Sequence, residues 1–201
     1  MAGDSQFRLL GERRFLPFFG TQALGAFNDN VYKNALVIIA TYHAAEFTTI
    51  KPALLTNLAG GLFILPFVLF AGLAGQLSDK FDKVLVLRVV KACEVGIMML
   101  AGVGFATHQM PVLLAALFLM GTHSTFFSPA KYGLLPEVLV EDELVGGNAL
   151  LEMGTFLAIL LGTLLAGILG GRGRPGSSQS QEDSGTASDR AQQRGLPRLP
   201  C

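Results

Sequence analysis

An all-α membrane protein of about five spanning helices is the fold class predicted by this 201-residue sequence. Three observations carry it. Hydrophobic residues make up 51% and charged residues only 15%, against roughly 25% charged in ordinary soluble domains. Glycine occurs 24 times, a frequency suited to close-packed membrane helices. Five windows also reach the roughly 20 mostly apolar residues that a spanning helix needs. The same totals exclude other classes. Fifteen Lys+Arg balance fifteen Asp+Glu, so the net charge is zero and the basic excess of a nucleic-acid binder is absent. Cys93 and Cys201 lie far apart without a Cys/His cluster, which excludes a disulfide scaffold and a zinc module. No metal or cofactor is expected.

In chain order, residues 1–14 are mixed and polar, with Arg8, Arg13 and Arg14, and read as a cytoplasmic lead-in. The apolar run starting at Phe15 is broken by polar residues and resumes to Tyr42, so no signal peptide is expected. The transmembrane bundle is placed at 15–171, with spans at about 15–42, 53–77, 84–106, 111–130 and 146–170. Lys and Arg in short loops set orientation. The N-terminal segment holds three Arg. The link after the second span holds Lys80 and Lys83, and Arg88 and Lys91 lie just inside the third. Both regions are therefore expected in the cytoplasm, and the link between spans four and five falls with them, although Glu137, Glu141, Asp142 and Glu143 outnumber Lys131 there. From Arg172 the chain turns to Arg, Ser, Gln, Gly and Pro, with only Leu196 and Leu199 as large aliphatics. Residues 172–201 cannot bury enough apolar area to offset their ordering entropy, and a disordered tail is expected.

The chemistry-bearing residues interrupt the spans. The first contains Asn28-Asp29-Asn30-Val31-Tyr32-Lys33-Asn34, an expensive insertion because charge inside a bilayer costs several kcal/mol. At 100° per residue, Gln22, Asp29 and Lys33 share a stripe about 40° wide, with Gly25 and Ala26 between them. The stripe is either a self-neutralising Asp29–Lys33 pair or a polar site facing a pathway. In the fourth span Ser124, Ser128 and Lys131 share a face and Pro129 is expected to bend the helix. Lys131 either meets an anion or snorkels to the interface. His123 is expected as a hydrogen-bonded interior residue rather than a ligand. In the fifth span Asn148, Glu152 and Thr155 share one face, and Glu152 is either a substrate contact or half of an ion pair. Gly154, Ala158, Gly162, Ala166 and Gly170 form another face suited to close helix packing.

The link Gly75-Gln76-Leu77-Ser78-Asp79-Lys80-Phe81-Asp82-Lys83 is similar to the signature loop of the major facilitator superfamily, with Asp82 where that loop usually has its second Gly. Gly75, Asp79, Lys80 and Lys83 are thereby its candidate conformational-switch residues. Together with FGTQALGAFNDNVYKNAL, FFSPAKYGLLPE and GNALLEMGTFLAILLGTLLAG, the chain over roughly 10–170 resembles the bacterial lysophospholipid transporter family. That family also occurs as the membrane part of fusions with acyltransferase and acyl-carrier-protein synthetase domains. The resemblance implies a fold of two six-helix bundles, of which this chain would be a truncated N-terminal bundle. It implies movement of lysophospholipid, chiefly lysophosphatidylethanolamine, across the bacterial inner membrane. The candidate substrate-binding set is Asp29, Asn30, Lys33, Lys131 and Glu152. Asp29 would accept the headgroup ammonium, and Lys131 or Lys33 the phosphate. Expected partners are the lipid substrate and either a missing C-terminal half or an acyltransferase or synthetase partner. No catalytic residue is assigned. His43, His108 and His123 are followed five residues later by Thr48, Leu113 and Ser128, not by the Asp of the fused acyltransferases. An inactive remnant or packing subunit is the other reading.

Overall fold

The computed structural model describes residues 3–171; the expected tail at 172–201 lies outside them. Eight segments follow one another, all helical: α1 (Gly3–Arg8), a short 3-10 turn (Leu9–Gly11), α2 (Leu16–Tyr42), α3 (Ala44–Phe47), α4 (Pro52–Lys80), α5 (Lys83–Ala106), α6 (Met110–Val138) and α7 (Glu141–Gly171). Proline begins three of the long helices, at Pro17, Pro52 and Pro111, where its missing N–H is no loss. Asp82 caps α5, its Oδ1 accepting from the Leu85 N–H at 2.9 Å. Its φ of −55° is open to any residue, so the link turns without a second Gly.

The fourth long helix runs past the expected end near 130 to Val138, through Pro129 and Pro136. Three helices, α4, α6 and α7 as far as Gly170, are long and apolar enough on their own to cross a membrane. That is two fewer than the sequence windows. α2 and α5 carry Asp29 and Lys33, and Arg88, Lys91 and Glu94, which dilute their apolar character.

α6 is the central post. Half of its apolar window is buried, against 17% for α4 and 22% for α7. α4 and α5 pack along it, while α7 packs chiefly along α2. The main core gathers Tyr32, Leu36, Leu55, Ile97, Leu113 and Met120 from four helices, and the Tyr32 hydroxyl donates to the Leu113 carbonyl at 2.6 Å. Small residues set the closest approaches. A Cβ at Gly121 would strike the Phe63 carbonyl of α4, and one at Gly162 would lie 2.8 Å from the Phe27 carbonyl of α2. The expected packing face of the last helix is thus used against α2: Gly154 faces Phe19, Gly170 faces Ile38, and Ala158 and Ala166 are buried.

Ion pairs collect three chain segments at one end. Arg14 Nη2 meets Glu143 at 2.7 Å and Arg14 Nε meets Glu12 at 2.5 Å. Lys83 Nζ meets Glu137 at 2.6 Å. The hydrogen bond from Arg14 holds the Glu12 carboxyl below the usual glutamate range. The N-terminal segment, the α4–α5 link and the α6–α7 link therefore share an end. The acidic residues that outnumber Lys131 in that last link include counterions of the basic ones. Residues 9–15 are also more than a polar lead-in, since Leu9 and Phe15 are buried against Leu135, Leu139, Leu150 and Leu151.

Candidate functional site

α2 distributes its polar residues among three neighbours. Gln22 is buried and donates to Thr155 Oγ1 of α7 at 3.1 Å. Asn30 donates to its own helix at the Ala26 carbonyl, 2.7 Å away, with its Cβ side against Gly162. Lys33 turns to α4, its Nζ 4.7 Å from the Phe63 ring centroid. It lines a cavity of about 250 Å³ with Val37, Thr56, Gly60, Phe63 and Leu117. The stripe seen in the sequence thus divides, because a 40° spread at the backbone becomes three directions at the ends of long side chains.

Asp29 points elsewhere. Its charged neighbours are His123, Glu94, Lys33 and Lys91, and no ion pair joins it to Lys33 within 4.0 Å among the described residues. Its Oδ1 is buried without a hydrogen-bond partner. A buried acceptor left unpaired costs about 1–3 kcal/mol, more when charged. The self-neutralising i,i+4 pair does not describe this geometry.

Beside Asp29 lies a group that the sequence reading did not assign. On α5, Lys91 Nζ pairs with Glu94 Oε2 at 2.6 Å. From α6, His123 Nε2 comes within 3.2 Å of the same oxygen. The histidine side chain is only 3% exposed. It is interior, as expected, but neither ring nitrogen lies in line for a hydrogen bond. Distance makes this an electrostatic contact and angle denies it the hydrogen bond. Phe127 completes the group, stacked on His123 at 5.9 Å and placed 4.4 Å from Lys91 Nζ. α2 makes room with Gly25, where any Cβ would overlap the Lys91 ammonium. Lys91 read as a loop-proximal topology charge, yet its i,i+3 spacing to Glu94 inside an apolar span was the available signal.

Lys131 and Glu152 form a second, separate cluster. Lys131 is buried and its Nζ lies 3.3 Å from Glu152 Oε1. The Tyr132 hydroxyl donates to that oxygen at 2.9 Å, and the Lys131 ammonium sits 4.3 Å from the Tyr132 ring centroid. Both residues therefore already have partners in this conformation. Eight residues, about 12 Å of helix rise, separate Lys131 from His123. Among the loop residues, Lys83 is paired with Glu137 and its stem passes Gly133, where a Cβ would lie 2.8 Å from Lys83 Cε. Gly75 has open space around it. No cluster suited to a metal ion occurs among the described residues.

Comparisons with known proteins agree with this architecture. The family model described as Major Facilitator Superfamily matches residues 18–175. The "Lysophospholipid transporter LplT" of Salmonella heidelberg (strain SL476) is 33% identical over 149 residues, 74% of this chain and 34% of that protein. The protein of the same name from Klebsiella pneumoniae (strain 342) is 34% identical over the same shares. The chain spans about a third of the length of the curated relatives it matches. No solved structure matches it. With a match over most of its length and a bundle of long apolar helices beneath it, this chain is a multi-pass membrane protein and belongs to the Major Facilitator Superfamily.

Proposed function

We propose that the protein is the N-terminal bundle of a lysophospholipid transporter in the bacterial inner membrane, with its N-terminus in the cytoplasm. Its role is transport and not catalysis. The observation that carries this reading is the unpaired Asp29 carboxylate one helical turn from Lys33, which lines an apolar cavity. A lysophosphatidylethanolamine carries an ammonium, a phosphate and one acyl chain. Asp29 takes the ammonium, Lys33 the phosphate, and the Thr56–Phe63 face of α4 receives the start of the chain. Asn30 supports the site through the backbone of α2. The name of the relatives, lysophospholipid transporter, and their identity to this chain support the substrate class.

Lys131 fits the same headgroup poorly. About 12 Å of helix rise separates its level from His123, too far for one short headgroup to bridge, and Glu152 already occupies it. We place Lys131 and Glu152 as a second contact, used when a lipid passes that level. Gly75, Asp79, Lys80 and Lys83 act as the conformational switch, through the Lys83–Glu137 pair. The remaining partner is a second bundle, because alternating access needs two bundles moving about one site; an acyltransferase or synthetase partner would consume the delivered lipid.

The test is uptake of lysophosphatidylethanolamine by cells producing a full-length relative, with substitutions at the residues matching Asp29 and Lys33. Each of Asp29→Ala and Lys33→Ala is expected to abolish uptake with normal membrane levels. Recovery of uptake in the double variant would make the two merely each other's partners and overturn the headgroup assignment.

A further inference from the structure

The cavity between α2, α5 and α6 has no role in the site above. It measures about 410 Å³ and is walled by Phe18, Leu87, Phe127 and Leu134, with Arg88 and Lys91 as its cations. The two cations differ. Lys91 is held by Glu94. Arg88 has no ion pair or hydrogen bond among the described residues. On its own helix, Glu94 is held by Lys91 and His123, and Asp82 caps α5 at the Leu85 N–H. Among the described residues, this guanidinium beside an apolar cavity has no counterion.

Its depth says what could. Arg88 stands five residues from the start of α5, about 8 Å along the helix. The headgroup layer is roughly 5–8 Å thick on each side of the hydrocarbon core, so with the start of α5 at the membrane surface the guanidinium comes to phosphate level and the cavity below it lies among acyl chains. Val84, Leu85 and Val89 beside it are exposed and apolar, which opens the cavity sideways towards lipid. Guanidinium binds phosphate with two parallel hydrogen bonds, and basic pockets between membrane helices hold acidic headgroups.

The geometry points to a resident anionic phospholipid in this groove, its phosphate on Arg88 and one acyl chain against Phe18, Leu87, Phe127 and Leu134. The site rests on Arg88 rather than on Asp29 and Lys33, although Lys91 and Phe127 belong also to the group beside Asp29, and it stands whether or not lysophospholipid is the transported species.

Native mass spectrometry of the purified 201-residue chain tests it, with phosphatidylglycerol and phosphatidylcholine offered together. The intact chain is expected to retain phosphatidylglycerol preferentially. Arg88→Gln is expected to lower that preference about fivefold, the worth of one cation near an anionic headgroup. Arg88→Lys should keep most of it, and Lys51→Gln, at the far end of α4, all of it. Val84→Trp, which fills the cavity from an exposed position and keeps Arg88, should lower lipid retention as well, with helix content by circular dichroism as the control for folding. An unchanged preference in Arg88→Gln, or an equal loss in Lys51→Gln, overturns the site. Displacement of the lipid by inorganic phosphate alone would also overturn it, in favour of a free-anion site.

Discussion

At the scale of single residues, the bundle keeps its charges by making room for them. Gly25 is the clearest case, because the space a methyl would need is filled by the Lys91 ammonium. The atom in the way is the end of a flexible side chain, so Gly25→Ala should leave the helices intact and displace Lys91 from Glu94. A loss of about 1–3 kcal/mol is expected, the cost of an unsatisfied buried polar group. Denaturant unfolding in detergent, followed by circular dichroism, measures it. In a Lys91→Met background the same glycine change should cost much less; equal costs in both backgrounds would mean that Gly25 serves backbone packing alone. Little of this was legible in the sequence. Asp29 stood out because a carboxylate inside an apolar run is expensive wherever it points. Glu94 did not, because Arg88, Lys91 and Glu94 together resemble an interfacial cluster. Only the third dimension brings His123 of α6 and Gly25 of α2 to the same place.

At the scale of elements, the helices were readable because a spanning segment must be apolar along its whole length. Their ends were less so. The fourth apolar window ends near 130, with Pro129 expected to bend the helix, but α6 continues to Val138, since neighbouring helices bury and support it. Asp82 is the converse case, a departure from the family's loop pattern that proves to be a helix cap. Asp82→Ala should therefore cost about 1 kcal/mol of stability, whereas Asp82→Gly should cost only a few tenths, because glycine is itself tolerated at the cap. Thermal unfolding of the two variants side by side distinguishes them, and equal losses would contradict the capping role. The α2–α7 contact is a stronger constraint. Gly162→Ala drives a methyl toward the rigid Phe27 carbonyl and Val31 N–H, so one helix must shift. A loss of about 1–3 kcal/mol is expected from such overpacking, while Gly167→Ala, which meets nothing within 4 Å, should be neutral in the same assay.

At the scale of the whole molecule, ion pairs gather at one end the three segments that charge counting in the sequence had grouped. Loop arginines and lysines were legible as a sidedness signal; their glutamate partners were not, because acids carry little weight in that rule and pair only across distant segments. In a background lacking Cys93 and Cys201, Lys80→Cys and Lys51→Cys should label from opposite faces of the membrane, with Lys80 reached from the cytoplasm. Labelling of both from one face would contradict the arrangement of α4. The pairing of α2 with α7 also bears on how the chain is made. A ribosome delivers α2 first and α7 more than a hundred residues later, and Arg14 must wait equally long for Glu143. During that interval the newborn helix carries Gln22 and Asn34 without Thr155 and Thr163 to receive them. The α2–α7 face can therefore close only after the intervening helices have been made.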